Sequence, residues 1–157
     1  MISRFRGSVS HLACVDVSSL ISWIEAISLG QWPQQSRHEL KPAMVTDPNW
    51  FGFGAMADPL VQTLMTHFAG CRSHNLMLSA VMPGHCIEPH ADQQADTWLC
   101  RVHVPLLSNE KSRFIVGGIA HAMHVGNAYR VNVLAEHSVV NDGDVPRVHA
   151  MFDVEKS

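Results

Sequence analysis

The chain has 157 residues, 46% of them apolar, with a formal net charge of −3. That length fits one domain with a substantial core, and the slight acidity gives no basic footprint for nucleic acid. No apolar run reaches the roughly 18 residues that cross a bilayer, and Ser and His interrupt the opening run MISRFRGSVSHLACV, so neither a membrane segment nor a secretory leader is expected.

Residues 16–28, DVSSLISWIEAIS, place Val17, Leu20, Ile21, Ile24 and Ile27 at helical spacing behind a capping residue, Asp16. Residues 31–54 are rich in Pro, Gly and aromatics and read as loop with room for one short strand. The run DPLVQTLMTHFAG predicts a second helix, with Asp58 at the N-cap, Pro59 in the first turn and Gly70 past the end. From residue 74 the period changes to two. Short alternating runs at 74–82, 99–107, 113–116, 119–125, 128–134, 137–141 and 147–154 are divided by Pro, Gly, Asn and Asp, which argues for a sandwich or barrel. The expected architecture is mainly β, a single domain over 1–157. A helical and loop region (1–73) packs on one sheet of a barrel core (74–154).

Cys14, Cys71, Cys86 and Cys100 form no C-x-x-C pair and read as reduced thiols of a cytoplasmic protein. Histidine is abundant, with eleven copies, so a lone histidine says little about metal. The segment PGHCIEPHADQQADTWLCRVHVPL says more. His90 and Asp92 follow a Pro-Gly turn and project to one side in extended chain. Two histidines and a carboxylate on one face of an iron centre leave open positions for co-substrate and oxygen. His137, in LAEHSVVND, is the expected third ligand. His121 and His124 share an H-x-x-H spacing that suits a helical turn. In a strand or loop they point apart, so they are not expected to hold the metal.

Two strands carry an unusual polar face. Arg101 and His103 alternate with Val102, Val104 and Leu106, and Arg147 and His149 alternate with Val148, Ala150 and Phe152. On an open sheet such a face would lie in water; in a closed barrel it lines the interior. Together with Ser79 these residues would form a cationic pocket, and arginine suits one because its fork grips a carboxylate while keeping its charge.

The run SAVMPGHCIEPHAD…LCRVHVPLL…HSVVNDGDVPRVHAMFDV resembles the aspartyl/asparaginyl β-hydroxylase family, which includes bacterial proline hydroxylases. The resemblance covers about residues 74–154 and implies a double-stranded β-helix of the jelly-roll or cupin-like kind. It further implies an iron(II)- and 2-oxoglutarate-dependent dioxygenase hydroxylating a small-molecule or peptide substrate, an amino acid or an Asp-, Asn- or Pro-like residue. His90 and His137 match the metal histidines, Asp92 the carboxylate that some members carry, and Arg147 the arginine that clamps the far carboxylate of 2-oxoglutarate. Ser79, Arg101 and His103 match positions that hold the co-substrate. Trp32, Trp50, Phe51, Phe53 and Trp98 are candidate walls of a substrate pocket or ordinary packing residues.

Two other readings fit parts of the pattern. A cupin-type metalloenzyme without 2-oxoglutarate would account for GHCIEPHAD and HSVVN, but gives Arg147 and Ser79 no task. A non-catalytic metal- or ligand-binding barrel would account for the fold, but not for a complete ligand triad.

Overall fold

The computed structural model describes residues 3–27, 43–46 and 50–157. Among these, strands β1 (Val9–Cys14), β2 (Ala43–Thr46), β3 (Cys71–Val81), β4 (His85–His90), β5 (Trp98–Leu107), β6 (Ser112–Val116), β7 (Ile119–His121), β8 (Asn127–Val131), β9 (His137–Asn141) and β10 (Arg147–Lys156) form two antiparallel sheets. Helices α1 (Ser18–Glu25) and α2 (Phe53–Met65) precede β2 and β3. One sheet runs β1-β8-β5-β10-β3-β2, the other β4-β9-β6-β7. Their inner faces close the barrel that the strand pattern predicts, in the double-stranded β-helix form that the resemblance implies. The N-terminal region is less helical than its sequence suggests, because β1 forms one edge of the larger sheet; β2, at the other edge, is the short strand for which residues 31–54 leave room.

Alternation explains where each side chain of β5 and β10 goes. Val102, Val104 and Leu106 of β5, with Val148, Ala150, Phe152 and Val154 of β10, pack outward. They join Leu20 and Ile24 of α1 and Phe53, Ala57 and Leu64 of α2 in one apolar cluster. The opposite face turns into the barrel beside a second cluster that includes Phe114, Val116, Met123, Val133 and Val139. Helices cover one face of the larger sheet and the second sheet covers the other, so polar residues on the inner face are buried as completely as the valines between them.

The first helix starts later than expected, at Ser18 behind Val17, so Asp16 is not its N-cap; the Asp16 carboxylate accepts the Ser18 backbone N–H at 2.9 Å and the Ser18 hydroxyl at 2.7 Å from just outside the helix. The second helix differs from expectation. It begins at Phe53 behind Gly52, whose φ is +73°, so Pro59 lies within the helix rather than in its first turn. Phe53 and Ala57 are fully buried, on the same stripe as Leu60 and Leu64. Their packing on the sheet outweighs the backbone hydrogen bond that Pro59 removes. Gly70, past the end, has the left-handed φ of +74° expected of a chain reversal there.

The chain passes from the larger sheet to the smaller at Met82–His85, where the His85 N–H donates to the Met82 carbonyl at 3.1 Å. Pro83 and Gly84 occupy the central positions, and Gly84 has φ +76°, the geometry that a Pro-Gly type II turn requires. This turn starts β4, the strand that carries the first site histidine. No helix among the described residues is long and apolar enough to cross a membrane.

Candidate metal centre

β4 and β9 pair antiparallel with His90 directly opposite His137, and the two imidazole rings lie 4.3 Å apart between centroids. Each ring is held by its own backbone. His90 Nδ1 is 2.7 Å from the Glu88 carbonyl, and His137 Nδ1 is 2.9 Å from the Ala135 carbonyl. A carbonyl only accepts, so both protons sit on Nδ1 and both Nε2 lone pairs are bare. Those Nε2 atoms lie 3.6 Å (His90) and 4.0 Å (His137) from the same oxygen, Asp92 Oδ1. One ligand atom from each of the three residues falls within 4.8 Å of the others. Ligands about 2.1 Å from a shared ion stand about 3 Å apart, so a small contraction would close the set on a metal. Burial, the first cause, pushes His137 below the ordinary imidazole range, which favours the neutral form a metal needs.

Asp92 reaches this point differently from the sequence expectation. The strand stops at His90, and Asp92 lies just beyond it, tied by its N–H to the Val133 carbonyl at 2.9 Å. Its second oxygen, Oδ2, accepts Arg101 Nη1 at 2.7 Å. Arg101 is also gripped by Asp153, through Nε to Oδ1 and Nη2 to Oδ2, both at 2.9 Å. Asp153 is fully buried. Burial alone would raise its pKa, but Arg101, Asn75 and Trp98 donate to it and hold it below the usual carboxylate range.

Deeper in the barrel, Arg147, His149, His103 and Ser79 are all buried. Ser79 and His149 are cross-strand partners on β3 and β10. Arg147 Nη2 donates to His149 Nδ1 at 2.8 Å, and the His103 and His149 Nδ1 atoms are 3.4 Å apart. Burial, followed by the nearby Arg147 charge, pushes both histidines well below their ordinary pKa. Among the described residues no carboxylate pairs with Arg147, and burial pushes its pKa down to about 9. His103 Nε2 is buried with no described partner. A buried cation without an anion, beside an orphaned ring nitrogen, is costly unless a ligand completes it. The Phe114 ring bridges this cluster and the metal centre, with centroids 5.1 Å from His103 and 5.9 Å from His137. The Arg147 guanidinium sits 5.8 Å from the same ring.

The structure therefore brings His90, Asp92 and His137 to one point and places Ser79, His103 and Arg147 in a buried polar cluster beside them. Arg101 lies beside both groups, engaged by two carboxylates, Asp92 and Asp153. His121 ends β7 and His124 follows in a loop, and neither joins the ligand group. Of the aromatic candidates, Phe53 and Trp98 are core residues, and Trp98 Nε1 donates to Asp153 at 3.0 Å. Phe51 is half exposed; Trp32 and the Trp50 side chain lie outside the described residues. Asp153, Asn75 and Phe114 are additions that the sequence reading does not single out. The alternation that pairs Arg147 with His149 also places residue 153 on the inner face.

The comparisons agree with this architecture. The chain superposes on a viral collagen prolyl hydroxylase from Paramecium Bursaria Chlorella virus-1 with a TM-score of 0.64, 8% identity, and coverage of 97% of this chain and 98% of that one. A prolyl-4-hydroxylase from Pseudomonas putida matches at TM-score 0.63 and 13% identity, over 97% of this chain and 94% of that one. A prolyl hydroxylase from Trichoplax adhaerens, solved with a hypoxia inducible factor peptide, matches at TM-score 0.61 and 11% identity, over 94% and 82%. At such identities the likeness is one of fold. No curated protein matches the sequence. The sequence profile of the Aspartyl/Asparaginyl beta-hydroxylase family matches residues 55–157, which include every ligand and pocket residue described above. With more than half of its length matched, the chain belongs to the aspartyl/asparaginyl β-hydroxylase family.

Proposed function

We propose that the protein is an iron(II)- and 2-oxoglutarate-dependent dioxygenase that hydroxylates an amino-acid or peptidyl substrate of the Asp, Asn or Pro kind. One observation carries the reading. Arg147 is a buried guanidinium with no described carboxylate, separated by the Phe114 ring from two bare imidazole nitrogens that converge on Asp92. A metalloenzyme without 2-oxoglutarate has no need of that buried charge.

His90, Asp92 and His137 would hold the metal through Nε2, Oδ1 and Nε2. The bound iron supplies oxygen activation, coupled to oxidative decarboxylation of 2-oxoglutarate to succinate and carbon dioxide. The Arg147 fork would take the far carboxylate of the co-substrate in a water-poor pocket, with Ser79 and His103 beside it. Arg101 keeps N–H groups beyond those its two carboxylate partners use, and flanks the same space. Phe114 excludes water between the two halves of the site, which strengthens every charged contact inside it. The collagen and prolyl hydroxylases of the same fold are consistent with an amino-acid or peptidyl substrate.

The test is anaerobic titration of 2-oxoglutarate into the iron(II) protein, read by the metal-to-ligand charge-transfer band. Substrate-dependent succinate formation across a panel of amino acids and short peptides should follow. Metal binding without that band would favour a metal-binding barrel instead.

A further inference from the structure

Asp153 is an aspartate with every acceptor position in use. Its Oδ1 takes Trp98 Nε1 at 3.0 Å and Arg101 Nε at 2.9 Å; its Oδ2 takes Asn75 Nδ2 at 2.7 Å and Arg101 Nη2 at 2.9 Å. Arg101 and Asp153 are cross-strand partners on β5 and β10, so the fork meets the carboxylate face to face. Asn75 adds a further sign of construction. It has φ +54° and lies where the β3–β10 register shifts, Met151 facing Met77 but Asp153 facing His74. A left-handed residue in a bulge costs strain, least for Asn among side-chain-bearing residues, and re-aims its side chain. Here it points the amide at Asp153. The outcome of the whole assembly is the direction of one remaining group, Arg101 Nη1, which donates to Asp92 Oδ2 at 2.7 Å.

We propose that Arg101, locked by Asp153, is a positioning residue that fixes Asp92 with Oδ2 turned away and Oδ1 presented to His90 and His137. The inference rests on the reading of those three residues as metal ligands. Held in this way, the carboxylate would offer a metal only Oδ1, since Oδ2 is engaged by Arg101. A free carboxylate outside a strand would otherwise swing toward water or bind through both oxygens. Trp98, Asn75 and Asp153 act through Arg101 and touch neither metal nor co-substrate.

Two explanations of Arg101 predict opposite results for metal binding when no co-substrate is present. An arm for 2-oxoglutarate alone leaves metal affinity unchanged on removal, or tightens it, because a cation beside the ion is lost. A positioning residue weakens it. Supporting groups around metal ligands change affinity by about 10- to 100-fold. Cobalt(II) is titrated into metal-free protein by its visible ligand-field bands and by calorimetry, without 2-oxoglutarate. Arg101→Gln is expected to weaken cobalt(II) binding about tenfold and to alter the band pattern. Asp153→Asn should weaken it several-fold, and Arg101→Lys should recover part of the loss. In an Asp92→Asn background, Arg101→Gln should add less than about twofold, since no anionic carboxylate remains to be held.

Asn75→Gly keeps the left-handed backbone and removes one donor from Asp153, so it tests the same chain if Arg101→Gln fails to fold. A measurable loss of affinity supports the brace. Tight cobalt(II) binding by wild type with equal affinity in Arg101→Gln, Asp153→Asn and Asn75→Gly, all natively folded, overturns the inference while leaving the metal site standing. An equal loss in the Asp92→Asn background also overturns it. No cobalt(II) binding by wild type overturns the ligand assignment itself, and the inference with it.

Discussion

His90 and His137 face each other across the β4–β9 pair, 4.3 Å apart between ring centroids, and both expose Nε2 because their own backbones take Nδ1. The ligand geometry is thus set by strand register. A slip of one residue would turn one ring to the other face and separate the pair. His90→Ala and His137→Ala are each expected to abolish stable iron(II) binding, since a single imidazole and one carboxylate hold a labile divalent ion poorly, whereas Asp92→Ala keeps the imidazole pair. Asp92→Ala should bind more weakly than wild type but measurably. Equilibrium dialysis against iron(II), or manganese(II) as an air-stable substitute, reads all three. Full metal occupancy in the His90→Ala/His137→Ala double variant would refute the ligand set.

A second expectation concerns the histidines left out. His121 closes a three-residue strand and His124 lies in the loop behind it, its backbone N–H donating to the Tyr129 hydroxyl at 3.0 Å. Replacing both with Gln should leave metal stoichiometry unchanged. Loss of the ion from a folded double variant would move the site to this end of the smaller sheet.

The buried pair His103 and His149 predicts a pH dependence. Burial first, then the charge of Arg147, keeps both neutral in the folded chain well below their ordinary pKa. In the unfolded chain they protonate near the usual value of about 6.5. The unfolded state then binds more protons, so stability is complete above about pH 6.5 and falls as pH drops toward the lowered folded values. Each histidine contributes a slope of roughly 1 kcal/mol per pH unit in that window. Urea unfolding of metal-free wild type between pH 7.5 and 5.5 should show the decline, and His149→Asn should flatten it. An identical slope in the variant would remove His149 as its source.

How much of this was legible in the sequence depends on whether the controlling signal was local. Period-two alternation locates β5 and β10 and sorts Arg101, His103, Arg147 and His149 onto one face without knowledge of the partners. Whether that face met water or an interior needed the second sheet, which only the closed fold supplies. β1 escapes the pattern because VSHLAC is too mixed to stand out; its pairing with β8 makes it a strand. The early start of α2 is hidden because Asp58-Pro59 is a strong local start signal, overridden by the burial of Phe53. Asp153 sat in plain view on the alternating face, but its meaning lay in Arg101 on another strand and in Asn75 at a bulge. No spacing rule reports that kind of pairing.

The last prediction concerns Arg147, whose charge is buried and unpaired among the described residues. Lysine at that position keeps the charge but loses the fork, and its shorter reach cannot restore two parallel bonds to a carboxylate. Hydrogen bonds to charged groups are worth about 1.5–3 kcal/mol each. Arg147→Lys should therefore weaken 2-oxoglutarate binding about 10- to 100-fold. Iron(II) affinity should hardly change, because the guanidinium lies beyond the Phe114 ring and is no ligand. The charge-transfer band of the anaerobic iron(II) protein, titrated with 2-oxoglutarate, measures the first effect, and equilibrium dialysis against iron(II) the second. Equal dissociation constants for wild type and Arg147→Lys would show that the co-substrate carboxylate is held elsewhere.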